Sequence, residues 1–322
     1  MLQRIHYIDR LKGLAILLVI MGHYECYILD NIGVIIEVIG SSHMPLFMFL
    51  SGYVLNRNYT LKESGRNVLK LLLPFCFIGI LYAFCIKSDI YGLMSSPYKY
   101  GYWYLYVLAI YRVILYLCQQ LSRIIIRNRN NQLALRIEVF LLILVIVIFN
   151  ILNTYVGQPY NDLFSVWIAR QYFMFFSIGY IARRYNILIR LSKYNVIYSL
   201  SLIMFILICY LYISGYGHLF HICGILLIGW LSPIFIQREN KSSRLENMLE
   251  LFGQKSFDIY VYHYFILGLI NLPMLGKWFD CTGNILFEAL LGLLLSVLIA
   301  FITIFIGKLV RQSNLLKRLL FI

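Results

Sequence analysis

Long apolar segments separated by short basic loops dominate the 322-residue sequence. A membrane-spanning helix needs about 20 mostly apolar residues. Ten segments meet this requirement, so the pattern predicts an all-α integral membrane protein with about ten transmembrane helices. The predicted spans are Leu11–Leu29, Ile35–Leu55, Leu69–Ile86, Tyr102–Leu121, Val139–Tyr155, Val166–Arg183, Val196–Ser214, Leu219–Ile236, Phe257–Leu275 and Ile285–Leu309.

Basic residues are distributed unevenly between alternate loops. With the N-terminus inside, the inner segments hold 23 of the 28 Lys and Arg residues. Cytoplasmic loops of membrane proteins are enriched in Lys and Arg, so this pattern predicts that both termini are cytoplasmic. Arg112 lies within the fourth predicted span, and the outer side holds only Lys87, Lys99, Arg170 and Lys277.

The composition agrees with a membrane protein. Hydrophobic residues make up 61% of the chain, charged residues make up 13%, and the mean hydropathy is +0.78. A net charge of +14 would suggest nucleic acid as a partner of a soluble protein. Here the cations lie between apolar segments, so we expect membrane lipids and no nucleic acid as partners. Residues 1–322 are predicted to form a single transmembrane domain in the inner (cytoplasmic) membrane.

The first predicted span carries two chemically distinctive residues, Lys12 and His23. Eleven residues make about three helical turns, so both side chains project from one face, about 16 Å apart along the axis. Ionisable groups inside a membrane are functional candidates because their burial is costly, and an imidazole accepts protons near neutral pH. The alternatives are a structural hydrogen bond from His23 to a neighbouring helix and a Lys12 side chain that reaches the membrane surface.

Two further histidines lie within predicted spans. His43 should lie at a depth similar to that of His23, and Pro45 should bend the second span beside it. His263 should lie one to two turns inside the ninth span. For both residues, a role in a site and a structural hydrogen bond are the alternatives. The sequence contains no His-x3-His, no Cys-x-x-Cys and no carboxylate cluster, so we expect no metal site.

Basic and aromatic side chains also mark the third and fourth spans. Lys62, Arg66 and Lys70 recur every fourth residue at the cytoplasmic face, where they can hold phosphates, bind anionic lipid headgroups or enforce the topology. Arg112 is expected to face a polar cavity or a carboxylate, because a buried guanidinium is costly. Trp103 is expected in an interfacial aromatic belt, with sugar stacking as the alternative.

Several short motifs resemble those of the acyltransferase-3 family of membrane proteins. That family's opening signature is an Arg or Lys, ten residues and then His, which the segment from Ile8 through Lys12 to His23 resembles. The triplet His43-Met44-Pro45 is similar to the fucose-acetylase-like branch. Four further segments resemble other signatures of the family, namely Met44–Tyr53, Trp103-Tyr104-Leu105, Phe173–Tyr180 and Ser256–His263.

The resemblance implies a membrane-bound O-acyltransferase. Such an enzyme would move an acetyl group from cytoplasmic acetyl-CoA, or another acyl group from its acyl-CoA, to a hydroxyl of a surface-polysaccharide or lipid-linked sugar. His23 matches the family's essential histidine, and Lys12 matches its basic partner, which is commonly Arg. Where the family often has Arg-x-x-Arg at the third helix, this chain has Arg66-x-x-x-Lys70. The resemblance implies that Arg66 and Lys70, together with Lys12, are the candidates for contact with the CoA phosphates.

A transfer mechanism follows from these assignments. His23 would act as general base on the acceptor hydroxyl or would carry the acyl group as nucleophile. His43 would orient His23 or the acceptor, His263 would contact the substrate, and Arg112 would stabilise the developing oxyanion. The main alternative is a polysaccharide flippase or exporter, which uses a cationic cavity without acyl transfer. A polysaccharide polymerase would typically need larger outer loops than these.

Overall fold

The structure is a computed structural model that describes residues 4–28, 34–126, 131–270, 274 and 285–320. Within these residues the chain is helical, with short connections and no strand. Its internal contacts divide it into two compact units, with residues 1–50 and 182–309 in unit 1 and residues 51–181 and 310–322 in unit 2. The ends of the first and ninth predicted spans, Leu29 and Leu275, lie outside the described residues, as does Lys277.

The helices alternate between long apolar segments and short connecting ones. A π-helical segment, Ala83–Lys87, continues α4, and 3-10 turns cover Lys99–Gly101 and Gly217–Leu219. In chain order the helices are α1 His6–Ile28, α2 Val34–Gly40, α3 His43–Tyr53, α4 Leu61–Tyr82, α5 Tyr91–Ser95, α6 Trp103–Ile125, α7 Asn131–Tyr155, α8 Tyr160–Phe164, α9 Val166–Arg184, α10 Ile187–Leu191, α11 Asn195–Ile213, α12 Phe220–Gln237, α13 Arg244–Gln254, α14 Ser256–Leu269, α15 Ile285–Val310 and α16 Asn314–Leu320.

Six helical segments of the described residues are long and apolar enough to cross a membrane, and each matches a predicted span. The first, second, sixth and ninth predicted spans do not meet that standard. For example, α1 begins with a charged segment, and α14 has 14 residues. The full set of ten spans and the cytoplasmic termini therefore stay predictions. The six segments are Leu61–Lys87, Trp103–Ile125, Asn131–Tyr155, Asn195–Ile213, Gly217–Gln237 and Phe287–Val310.

The second predicted span is broken into two helices, α2 and α3. The break lies at Ser41 and Ser42, whose hydroxyls both donate to the Val38 carbonyl, at 3.0 and 2.5 Å. The expectation of a bend at Pro45 is therefore wrong. Pro45 lies in the first turn of α3, where the missing N–H of proline removes no helical hydrogen bond. The break places His43 at the start of a helix.

Helix α1 packs against α13 with direct contact between the two backbones in unit 1. An added Cβ at Gly13 would overlap the Leu249 carbonyl, and one at Gly253 would overlap the Asp9 carbonyl. Only glycine therefore fits at these two positions without moving one helix away from the other.

Charged side chains hold the N-terminal end of α1. The Glu239 carboxylate accepts hydrogen bonds from the backbone N–H groups of His6 and Tyr7, at 2.9 and 2.6 Å. These groups have no acceptor within the helix, and a carboxylate complements the positive end of the helix dipole. Arg10 donates to two backbone carbonyls of the 238–241 loop, at 2.7 and 2.8 Å. The loop before α13 is thereby attached to α1.

The start of α13 is also capped. Ser243 and Glu246 form a reciprocal capping box, in which the Glu246 carboxylate accepts from the Ser243 N–H at 2.9 Å. Arg238 donates to the same carboxylate at 2.6 Å and lowers the pKa of Glu246 below its ordinary value. The carboxylate thus stays ionised, which stabilises the helix start.

Unit 2 has an aromatic interior. Trp103 is only 7% exposed and stacks on Tyr172, with ring centroids 5.1 Å apart. Tyr102 and Tyr104 are buried as well. The expectation that Trp103 belongs to an interfacial belt is therefore wrong, because the ring is covered by protein. Gly52 lets α3 approach α9, since an added Cβ there would overlap the Phe176 carbonyl.

Lys99 is a fully buried cation in the loop before α6. Its ammonium group donates to the backbone carbonyls of Met94 and Asp162, at 2.5 and 2.7 Å. Burial lowers the pKa of Lys99 to about 8. Two carbonyl oxygens thus take the place of water around this charge and link α5 and α8 in unit 2.

The glycine contact between α1 and α13 predicts the effect of Gly253→Ala. The new methyl group must push α13 away from Asp9, so we expect the variant to lose stability by about 1–3 kcal/mol, the usual cost of overpacking. The measurement is the thermal unfolding midpoint of detergent-purified protein. Gly65→Ala in α4 is the matched control, because nothing lies within 4 Å of an added Cβ there. An unfolding midpoint for Gly253→Ala equal to that of Gly65→Ala would contradict the prediction.

Candidate active site

Helices α1, α3 and α14 bring three histidines of unit 1 into one cluster. The Nε2 atom of His23 lies 2.7 Å from the Tyr264 hydroxyl oxygen, within hydrogen-bond distance. The rings of His23 and His263 are stacked, with centroids 5.5 Å apart and planes inclined by 25°. One further imidazole and one phenol thus lie against the His23 ring.

His263 is completely buried two turns into α14. Its Nδ1 atom lies 3.0 Å from the Ile259 carbonyl oxygen, one helical turn earlier. Because a carbonyl only accepts hydrogen bonds, this contact assigns the ring proton to Nδ1 and a lone pair to Nε2. The buried Nε2 atom has no hydrogen-bond partner among the described residues. It is therefore an acceptor that a ligand hydroxyl can satisfy.

His43 lies beside α1 at the residue that precedes His23. Its Nδ1 atom is 2.5 Å from the Ile39 carbonyl oxygen in α2, across the break between α2 and α3. A Cβ added at Gly22 would lie 3.9 Å from Cε1 of the His43 ring. The broken second span therefore aims an imidazole at the part of α1 that carries His23.

The Tyr264 contact limits the protonation states of His23. If Tyr264 donates, Nε2 of His23 holds the lone pair and the phenol can relay a proton to it. If Tyr264 accepts, Nε2 carries the proton and Nδ1 is the basic nitrogen. In either tautomer the ring has one basic nitrogen, which is what a general base or an acyl-carrying nucleophile needs.

Lys12 and His23 lie on one continuous helix, as predicted, and both side chains are partly buried. Ile16 and Val19, which lie between them on that face, are covered by protein. The face that joins the two residues is therefore packed in this structure. An acyl donor that reached His23 along it would displace the side chains that cover it.

The other predicted binding residues lie in unit 2. Arg66 and Lys70 are exposed on α4, and Arg112 lines a cavity in which Ser64 and Asn67 also take part. The expectation that Arg112 faces a polar cavity or a carboxylate stays a prediction. The roles expected for these three residues in donor or oxyanion binding stay predictions.

Tyr264 was not singled out by the sequence analysis, although it follows His263 directly. A phenol inside a long apolar segment is an ordinary interfacial or packing residue. Its importance depends on contact with a side chain 241 positions earlier, which no local pattern reveals. The same holds for Glu138, which is buried and accepts from the Tyr180 hydroxyl at 2.6 Å in unit 2.

The described part of the chain contains no group of three or more His, Cys, Asp or Glu residues placed to hold a metal ion. Each of the three imidazoles can exchange a proton and form hydrogen bonds. Since each ring has a basic nitrogen within a largely covered environment, the cluster suits a reaction in which a hydroxyl group loses its proton.

Comparison with known protein families assigns the class. A family model described as an acyltransferase domain matches residues 5–305. Because the match covers most of the chain, the protein belongs to this acyltransferase family, in agreement with the resemblance of the sequence motifs. It is a helical membrane acyltransferase. No curated protein and no solved structure matches the chain.

The hydrogen bond to His23 predicts the effect of Tyr264→Phe. Loss of the hydroxyl removes a partner that orients the imidazole, so we expect acyl transfer to fall about tenfold or more, with the unfolding midpoint little changed. Initial rates with purified protein measure this effect. Tyr262→Phe, which removes a phenol from the same helix, is the control. Equal rates for the two variants would show that the contact with His23 is only structural.

Proposed function

We propose that the protein is a membrane-bound O-acetyltransferase of surface glycans. It would transfer an acetyl group from cytoplasmic acetyl-CoA to a sugar hydroxyl of a surface polysaccharide or of its lipid-linked precursor. The observation that carries the proposal is the His23–Tyr264 hydrogen bond within the three-histidine cluster of an acyltransferase. This contact supports the proposal because His23 is the residue that the sequence motif predicts as the base.

The proposed reaction uses His23 as the general base. His23 takes the proton of the acceptor hydroxyl while the oxygen attacks the thioester carbonyl. The carbon–sulfur bond then breaks, and the departing thiolate of CoA takes up the proton, so that an ester and free CoA are formed. In the alternative route, a ring nitrogen of His23 attacks the thioester carbonyl, the carbon–sulfur bond breaks, and CoA leaves as the thiol with the proton of the imidazole. The acceptor hydroxyl then attacks the acyl-imidazole, the acetyl–nitrogen bond breaks, and the imidazole takes up the hydroxyl proton.

His43 and His263 would position the acceptor. Their Nδ1 atoms are each committed to a backbone carbonyl, so their Nε2 atoms are left as hydrogen-bond acceptors. Sugar hydroxyls are donors and can satisfy both. Buried polar groups that are satisfied only by substrate favour a hydroxyl-bearing ligand over an apolar one of the same shape.

The donor would enter from the inner side of the membrane. Lys12, about 16 Å along α1 from His23, would hold a CoA phosphate. The pantetheine arm would displace the side chains that cover Ile16 and Val19 as it extends towards the imidazole. Arg66 and Lys70 would attract the anionic donor from the exposed face of α4. We place the protein in the inner membrane, with membrane lipids, acyl-CoA and a glycan as its partners.

The decisive variant is His23→Ala. Without the base or nucleophile, transfer of radiolabelled acetyl groups from acetyl-CoA to the host glycan should fall by a factor of about 100 or more. Membrane insertion should be unchanged. His218→Ala is the control, because His218 is exposed in unit 1. Acetylation by His23→Ala at the rate of the control would disprove the proposal.

A flippase or exporter is the competing function, and binding of acetyl-CoA separates the two. A transferase must bind its donor, so wild-type protein and His23→Ala should both bind acetyl-CoA in an equilibrium assay. A flippase has no use for the donor. Failure of the wild-type protein to bind acetyl-CoA, combined with transport of lipid-linked sugar in vesicles, would support the flippase instead.

A further inference from the structure

Two buried cysteines of unit 1 meet between the neighbouring helices α11 and α12. Cys209 lies four residues before the end of α11, and Cys223 lies three residues after the start of α12. Both side chains are buried in one apolar cluster with Phe205 and Leu227. The two thiols are in hydrogen-bond contact. Side chains in such contact point at each other, which is the geometric condition for a disulfide bond.

The helical hairpin of α11 and α12 brings the two thiols together by itself. Its helices pack against each other and are joined by a short connection, residues 214–219. Most residues packed against the cysteine cluster also belong to this hairpin, as Tyr212 and Trp230 do, whereas Val38 is added from α2. Contacts between segments that are close in sequence need little loop closure and form readily. The thiols can therefore meet, and an oxidant can reach them, before α2 covers the cluster.

The charge pattern puts this end of the hairpin on the predicted outer side of the membrane. Basic residues flank the opposite ends of the two helices, with Lys193 before α11 and Arg238 after α12. The connection from Ser214 to His218 contains no Lys or Arg. Each cysteine lies about one helical turn from that connection. Disulfides persist in extracytoplasmic compartments, whereas cytoplasmic reductants keep thiols free.

A metal ion fits this pair less well than a disulfide bond does. Structural sites for metals that bind thiolates usually supply four protein ligands. In the described part of the chain, no third His, Cys, Asp or Glu joins the two thiols in a group placed to hold a metal ion. Two thiols in contact without further ligands are suited to forming a bond with each other.

The cysteine pair lies beside the break between α2 and α3. The Ser41 hydroxyl, which donates to the Val38 carbonyl, is also in hydrogen-bond contact with the Cys209 thiol. Val38 packs against the same apolar cluster. A covalent link between α11 and α12 thus fixes the surface against which the break packs, two residues before His43.

We propose that Cys209 and Cys223 form a disulfide bond on the outer side of the membrane. The co-reactant is a thiol oxidant of the extracytoplasmic compartment that carries an intramolecular disulfide. One cysteine thiolate attacks a sulfur of this disulfide, whose S–S bond breaks, and a mixed disulfide forms. The second cysteine thiolate then attacks the sulfur of the first, and the oxidant leaves as a dithiol. The two cysteines lose two protons and two electrons, which the oxidant takes up.

The first test identifies the thiols of protein in the membranes of cells that have such an oxidant. Free thiols are blocked with N-ethylmaleimide in denaturant, and disulfides are then reduced and labelled with iodoacetamide before peptide mass spectrometry. Cys209 and Cys223 should carry the second label, and the unreduced digest should contain their two peptides joined. Cys118, buried in α6 of unit 2, should carry the first label and is the control. Both cysteines carrying the first label, or either paired with a different cysteine, would overturn the inference.

The second test distinguishes a covalent bond from packing of two thiols. A bond between Cys209 and Cys223 closes a loop of 15 residues, which restricts the unfolded chain. Reduction of purified wild-type protein, verified by thiol labelling, should therefore lower the thermal unfolding midpoint by about 5 °C or more. Cys223→Ala should unfold at a lower temperature than oxidised wild-type protein and show no further decrease with reductant.

Cys118→Ala is the matched control for the second test, because it removes a buried thiol and leaves the pair intact. It should keep the full effect of reductant. A wild-type midpoint that reduction leaves unchanged, or an equal effect of reductant on Cys223→Ala and wild-type protein, contradicts the inference. Neither readout needs acyl transfer, so a failure of this inference is distinct from a failure of the proposed function.

Discussion

The position of His23 depends on the backbone contact between α1 and α13. Helix α1 carries both a charged start and a basic imidazole, so hydropathy alone does not hold it in one place. Gly13 and Gly253 allow the two backbones to touch, and Glu239 caps the first N–H groups of α1. A helix fixed at its start by packing and hydrogen bonds presents His23, five turns later, at a defined place. Catalytic groups act efficiently only when they are held in this way.

The sequence identifies the chemical groups better than their arrangement. His23, His43 and His263 are conspicuous because ionisable side chains are rare in apolar segments, and the structure brings all three together. The break at Ser41 and Ser42 was not foreseen, because an apolar window of 20 residues does not register a two-residue turn. The hydroxyls of these serines compete for backbone carbonyls, which is how short polar residues interrupt helices. A bend was expected three to four residues later, at Pro45.

Contacts between residues far apart in the sequence explain the other features that the sequence did not predict. Tyr264 and Gly253 are ordinary residues in their own segments, and only contact with α1 gives them significance. For Trp103, the local pattern predicted a special position at the membrane surface that the structure does not show. An aromatic residue at the end of an apolar segment usually lies at the membrane surface, but here Tyr172 and the rest of unit 2 cover it. Local patterns report average environments, whereas burial is decided by which helices pack together.

The cations of the chain differ in the groups that stabilise their charge. Lys99 and Arg10 are buried, and each donates to two backbone carbonyls, so the fold itself supplies their acceptors. Arg66 and Lys70 are exposed, so water or lipid headgroups supply theirs. Arg112 is partly exposed within α6, and its Nε atom has no hydrogen-bond partner among the described residues. Because a guanidinium inside an apolar helix is costly, the fold stabilises Arg112 less completely than it stabilises Lys99 or Arg10.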